Sequence, residues 1–85
     1  MKIYEFTLVL EGVDVMTEQL AIDLHEAGCS DGAPLSSEGI AAIGFDREAP
    51  SLEEAIKSAA ADVTKVGLTV ARVEIGGEEL AALTR

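Results

Sequence analysis

Cysteine, tryptophan and basic residues are scarce in this 85-residue sequence, which has one cysteine, no tryptophan and six lysines and arginines. A single cysteine, Cys29, cannot form a disulfide within the chain, so the cysteine content gives no sign of an oxidising compartment. The first residues lack a cationic stretch followed by an apolar run, and no segment is long enough to span a bilayer. The sequence therefore predicts a cytoplasmic location and no membrane partner.

Negative charge dominates the sequence. Sixteen acidic residues against six basic ones give a formal net charge of −10, and the acids are spread from Glu5 to Glu79. A surface of this sign repels phosphate backbones and anionic lipids, so we expect no direct nucleic-acid binding by this domain. Basic partners or metal cations match the charge better, although solubility alone is a sufficient reason for it.

The first half of the chain shows the period of a strand and then that of a helix. Residues 3–10 alternate between two faces, with Phe6 and Leu8 on the apolar one, which predicts a half-buried strand. Thr17 is placed to cap a helix that Gly28 ends. Residues 33–36 and 40–45 predict a hairpin, in which Pro34 indicates an edge strand.

The second half repeats the helix and the strand. Ser51 opens a capping box after Pro50, and an apolar stripe runs along the following helix to Val66. Gly67 is predicted to end this helix, and residues 68–75 form the last predicted strand. About half of all residues are apolar, which is enough for one hydrophobic core.

The order of these elements is strand, helix, strand, strand, helix, strand. Two β-α-β crossovers place both helices on one face of a four-stranded antiparallel sheet, with the first and third strands central. The predicted fold class is therefore α+β, a ferredoxin-like β-α-β-β-α-β sandwich over residues 1–76. Residues 77–85 are predicted to be a short helical tail that carries Leu80 and Leu83.

Four segments also resemble a known family. They are residues 4–12 (YEFTLVLEG), 24–31 (LHEAGCSD), 45–49 (FDREA) and 51–56 (SLEEAI). Together they are similar to the N-terminal domain of short, uncharacterised bacterial proteins. The resemblance implies that a helix-turn-helix segment often follows such a domain, and residues 78–85 resemble its approach. A DNA-related role is implied only in this way, because these residues include no basic recognition helix.

His25 and Cys29 are the best candidates for metal binding or nucleophilic chemistry. Their spacing of four places two side chains on one helical face, which is half of a zinc site. Gly28 is predicted to end the helix before Cys29, and no second pair exists, so we predict no metal and no cofactor. The alternative is a partly buried histidine beside the core. Glu26 and Asp31 are acidic neighbours that raise a thiol pKa, so we also predict no catalytic residue and no enzyme.

Other activities on ferredoxin-like folds need residues that this sequence lacks. Copper chaperones need two cysteines in the first loop, where this chain has residues 12–15 (GVDV). RNA-recognition domains need exposed aromatics, whereas Phe6 and Phe45 are assigned to the core. Acylphosphatase-like domains need an arginine in that same loop, and none is there.

Two kinds of function remain, both without catalysis. The favoured one is assembly or partner binding, either with a second copy of the chain or with another protein. Its predicted interface combines the sheet face away from the helices with the tail, namely Ile3, Thr7, Val9, Ala42, Leu80 and Leu83. The alternative is a regulatory domain that senses a small ligand, similar in topology to ACT domains, or the accessory domain of a helix-turn-helix regulator. Its predicted ligand site is Gly12, Asp14 and Thr17, where backbone N–H groups at a helix start can receive an anion.

Overall fold

A computed structural model describes residues 2–76 and contains six elements in the predicted order. They are β1 (Lys2–Leu10), α1 (Glu18–Ala27), β2 (Gly32–Ser37), β3 (Ile40–Ala49), α2 (Leu52–Lys65) and β4 (Val70–Ile75). The strands form one antiparallel sheet in the order β2-β3-β1-β4. The ferredoxin-like prediction is confirmed, with β1 and β3 central and the Pro34 strand at an edge. The predicted tail, including Leu80 and Leu83, lies outside the described residues.

The core lies between the helices and one face of the sheet. Alternate residues of β1 and β3 point into it, and Phe6 stacks on Phe45 with ring centroids 5.4 Å apart. The helices contribute Leu24, Leu52, Ala55, Ala59 and Val63, which are all buried. Burial of these apolar side chains is the main favourable contribution to folding. The faces assigned to both phenylalanines are confirmed.

The helix ends follow the predicted capping chemistry. The Thr17 hydroxyl accepts a hydrogen bond from the Leu20 N–H at 3.1 Å, and the Ser51 hydroxyl accepts one from the Glu54 N–H at 3.2 Å. Gly28 follows α1 with a φ of 122°, a conformation that residues with a side chain rarely adopt. These bonds satisfy backbone groups that a helix cannot pair internally.

Two predicted strand limits are wrong. β3 does not end at residue 45 but continues to Ala49 and pairs with the first residues of β1. The charged run 46–48 resembles a loop in sequence, yet Arg47 points inward while Asp46 and Glu48 point to solvent. β4 begins at Val70 rather than at residue 68, and its register with β1 shifts between Val9 and Leu10.

A buried arginine joins the sheet to both helices. Arg47 is 8 % exposed and forms two hydrogen bonds to the Asp31 carboxylate, each 2.8 Å long. It also donates to the Gly28 carbonyl at 2.9 Å, to Ser58 Oγ at 3.1 Å and to Asp62 Oδ2 at 3.0 Å. All five guanidinium N–H groups therefore have an acceptor, which is what a buried charge requires.

We expect Arg47→Ala to lower the free energy of unfolding by about 3 kcal/mol or more, because it leaves two carboxylates without their main partner. The hydrogen bonds from Arg47 hold the pKa of Asp31 below its ordinary value of 3.8. Ionised Asp31 therefore stabilises the fold above that pH, and this contribution is lost as the pH falls through the lowered pKa. Urea unfolding at neutral and acidic pH measures both effects.

The matched control is Lys57→Ala, which breaks only the exposed Glu53–Lys57 pair on α2, whose charged atoms are 2.9 Å apart. It should leave the stability nearly unchanged, because exposed ion pairs contribute little. Two outcomes would contradict a structural role for the Arg47 network. One is an equal loss of stability in the two variants, and the other is a stability difference between wild type and Arg47→Ala that does not shrink in acid.

Candidate functional site

The sheet face opposite the helices, called the open face below, is the candidate site. Residues that pair across strands share a face, so the register places Ala33, Gly44, Thr7 and Glu74 in one row and Leu35, Ala42, Val9 and Arg72 in the next. Ile40 lies beyond the second row, on β3. The open face therefore has a small-residue centre and an apolar end on β2 and β3.

The four predicted interface residues within the described range, Ile3, Thr7, Val9 and Ala42, all lie on the open face. Their exposures differ, however. Ile3 is 63 % exposed, whereas Val9 and Ala42 are only 4 % and 9 % exposed and form the floor of a shallow groove. The structure thus brings Val9, Ala42 and Thr7 together and leaves Ile3 at the far end of β1.

The exposed apolar rim of this groove was missed by the sequence reasoning. It consists of Leu35 and Ile40, which are 48 % and 43 % exposed. They flank the hairpin turn at Glu38 and Gly39, whose positive φ angles of 50° and 77° fit a two-residue turn. The alternation in residues 33–37, continued through a two-residue turn, is the signal that places Leu35 on the open face.

Charge on the open face is divided between its two ends. Glu5 lies opposite Asp46 and Ile3 lies opposite Glu48, so that end carries three acids. At the apolar end Arg72 pairs with Glu74 at 3.2 Å, and both line the groove. Glu38 also lines the groove, so the apolar end carries a formal charge of −1 on a chain whose net charge is −10.

The predicted ligand loop is tied to the sheet by hydrogen bonds within the chain. Glu11 N–H donates to the Thr69 carbonyl at 2.8 Å, and Met16 N–H donates to Ser36 Oγ at 2.7 Å. Gly12, Asp14 and Thr17 are all exposed, and the Thr17 hydroxyl caps α1. Two N–H groups of the loop are thus already used, and a turn and a cap account for Gly12 and Thr17. Ligand binding there stays a prediction.

His25 and Cys29 line a second groove, between α1 and β2, above Leu24 and Ile43. The thiol is buried at 3 % exposure, while His25 is exposed, so the prediction of a partly buried histidine is wrong. One step of 100° along α1 turns His25 away from the core that Leu24 enters. Among residues 2–76 no three His, Cys, Asp or Glu side chains are close enough to hold a metal ion.

The Cys29 thiol is a poor nucleophile in this setting. Burial raises its pKa first, and the carboxylates of Asp62 and Asp31 raise it further, against a smaller opposite effect of Arg47. The sequence reasoning named Glu26 instead of Asp62 as the second acidic neighbour. A thiolate is the reactive form, so a raised pKa and low exposure both slow the reaction.

We therefore expect iodoacetamide to alkylate Cys29 in the folded domain at least roughly 100-fold more slowly than in the denatured chain, near neutral pH. Mass spectrometry of timed samples measures both rates. A cysteine placed at the exposed position 15, as Val15→Cys, is the control and should react at nearly the denatured rate. Alkylation of Cys29 as fast as that of the control would show that the thiol is accessible and activated.

Comparisons with models of protein families, with curated proteins and with solved structures gave no match. The resemblance to short bacterial proteins therefore stays a prediction, while the ferredoxin-like architecture rests on the strand order itself. Within the part of the chain that the structure describes, no helix has the length and apolar character needed to cross a membrane.

Proposed function

We propose that this domain is a non-catalytic assembly domain that binds a second copy of itself through the apolar end of its open face. The observation that carries the proposal is the groove with a buried floor of Val9 and Ala42 and an exposed rim of Leu35 and Ile40. Exposed apolar patches on small domains are typical of protein contact sites. The groove is lined by four hydrophobic side chains, by Thr7, by the Arg72–Glu74 ion pair and by Glu38, a composition that suits packing rather than chemistry.

A second copy is favoured as the occupant by the distribution of charge. Two chains of charge −10 repel each other over most of their surfaces. That repulsion is smaller at the apolar end of the open face, because Arg72 offsets Glu74, one of the two carboxylates that line the groove, the other being Glu38. The small residues Ala33, Gly44 and Thr7 beside it let two sheets approach closely.

A non-catalytic role is supported by the state of the reactive groups. The single thiol is buried with a raised pKa, and the buried guanidinium of Arg47 is saturated by acceptors of its own chain.

A role as the accessory domain of a bacterial helix-turn-helix regulator, in the cytoplasm, fits the same proposal. Pairing of two such domains brings two attached segments together, which is what a two-fold DNA site requires.

We expect Leu35→Glu and Ile40→Glu each to weaken self-association at least roughly 100-fold, because a two-fold interface then buries two unpaired carboxylates. Size-exclusion chromatography with light scattering, over a wide range of protein concentration, measures the mass. Circular dichroism checks that each variant keeps its fold.

Ile22→Glu is the matched control, since Ile22 is 44 % exposed, close to the values of Leu35 and Ile40, but lies on α1. This variant should keep the wild-type mass. A wild-type protein that is monomeric at every concentration contradicts self-assembly and directs the search to a basic protein partner. Equal effects of all three variants contradict the assignment to the open face.

A further inference from the structure

The two edges of the sheet differ in the peptide groups that they present for pairing with a further strand. The backbone nitrogens of Gly32, Pro34 and Ser36 face away from β3, because Asp46 N–H donates to the Asp31 carbonyl and hydrogen-bonded pairs alternate along the ladder. Gly32 N–H already donates to the Cys29 carbonyl at 3.0 Å, and proline has no N–H. The β2 edge is therefore a poor template for strand addition.

Among residues 2–76, nothing protects the β4 edge in this way. Hydrogen-bonded pairs alternate in the same way between β3 and β1 and between β1 and β4. The N–H and C=O groups of Thr7 and Val9 therefore point towards Glu74 and Arg72. Glu11 N–H, which donates to Thr69, follows this alternation. The peptide groups of Val73 and Ile75 then point outward, and within residues 2–76 the sheet ends at β4.

The sequence of β4 is complementary to itself when it runs antiparallel to a second copy. With Val73 opposite the second copy's Val73, Arg72 lies opposite Glu74 and Glu74 lies opposite Arg72. A two-fold pair centred on residue 72 or 74 instead places like charges opposite each other. Directly opposite residues of unlike charge stabilise a strand pair, and like charges destabilise it. Of these three registers, charge favours the one centred on Val73.

We propose that β4 pairs antiparallel with β4 of a second copy, centred on Val73, and forms a continuous eight-stranded sheet. The two-fold axis is normal to the sheet, so both helix layers lie on one side and both open faces on the other. The blocked β2 edge prevents head-to-tail addition, which makes the pair closed rather than a growing fibre. The inference deepens the proposed self-assembly, on which it rests, by adding a second contact at the border of the open face.

A charge exchange tests this register. Arg72→Glu and Glu74→Arg each create two like-charge pairs across the edge, so each variant alone should associate roughly tenfold to hundredfold more weakly at this edge. An equimolar mixture of the two variants restores both unlike pairs and should recover the association. The double variant Arg72→Glu/Glu74→Arg, which also keeps the pair within the chain, should behave as wild type.

Solution mass and amide hydrogen exchange together separate this contact from the open face. With both contacts the wild type is a tetramer, and Leu35→Glu leaves an edge dimer. Because Arg72 and Glu74 also line the open-face groove, each charge variant is also made in Leu35→Glu, where it should leave a monomer. In the edge dimer Val73 N–H should exchange slowly, and it should exchange fast in Arg72→Glu.

Single variants that keep the wild-type mass, or a mixture that recovers nothing, overturn the edge pairing. A mass unchanged by Leu35→Glu but lowered by Arg72→Glu overturns the open-face contact instead. A monomeric wild type overturns both.

Discussion

The fold depends on one buried charge more than on any other single contact. Arg47 enters the domain from β3 and meets acceptors from the end of α1, from the segment before β2 and from α2. Removing a guanidinium from water is costly unless every N–H finds a partner, so these acceptors must all be in place together. Arg47 thereby fixes both helices on the same face of the sheet. The opposite face stays open because the chain places no element over it within the described residues.

The carboxylates that pair with Arg47 also determine the chemistry of the α1–β2 groove. Asp31 and Asp62 neutralise Arg47, and they also make the thiol of Cys29 harder to ionise. A cysteine that sits near a guanidinium is thus kept unreactive by the carboxylates that balance it. The α1–β2 groove holds a buried thiol and an exposed imidazole. The open-face groove is lined by two exposed large apolar residues, Leu35 and Ile40, whereas the α1–β2 groove is lined by one, Ile22.

Most of the fold could be predicted from the sequence, because it rests on local signals. Thr17, Ser51 and Gly28 cap helices through contacts only a few residues apart. Arg47 could not be placed, since its acceptors are 11 to 19 residues away and a charged residue inside a strand resembles a loop. For the same reason, the exposure of Leu35 and Ile40 could not be predicted from the sequence. Their exposure depends on which neighbours cover them, whereas Val9, equally apolar and on the same face, is buried by its neighbours.

Net charge decides what kind of assembly such a domain can form. At −10 per chain, long-range forces oppose association, and pairing must come from short-range contacts at places where charge is locally balanced. Arg72 is the basic residue that lines the open-face groove, and it also lies in the strand at the free edge. Because Glu74 stands two residues away on the same face, one arginine can balance a carboxylate in its own chain or in a second copy. Both proposed contacts therefore converge on the same residue pair, and the energy of one contact depends on whether the other is formed.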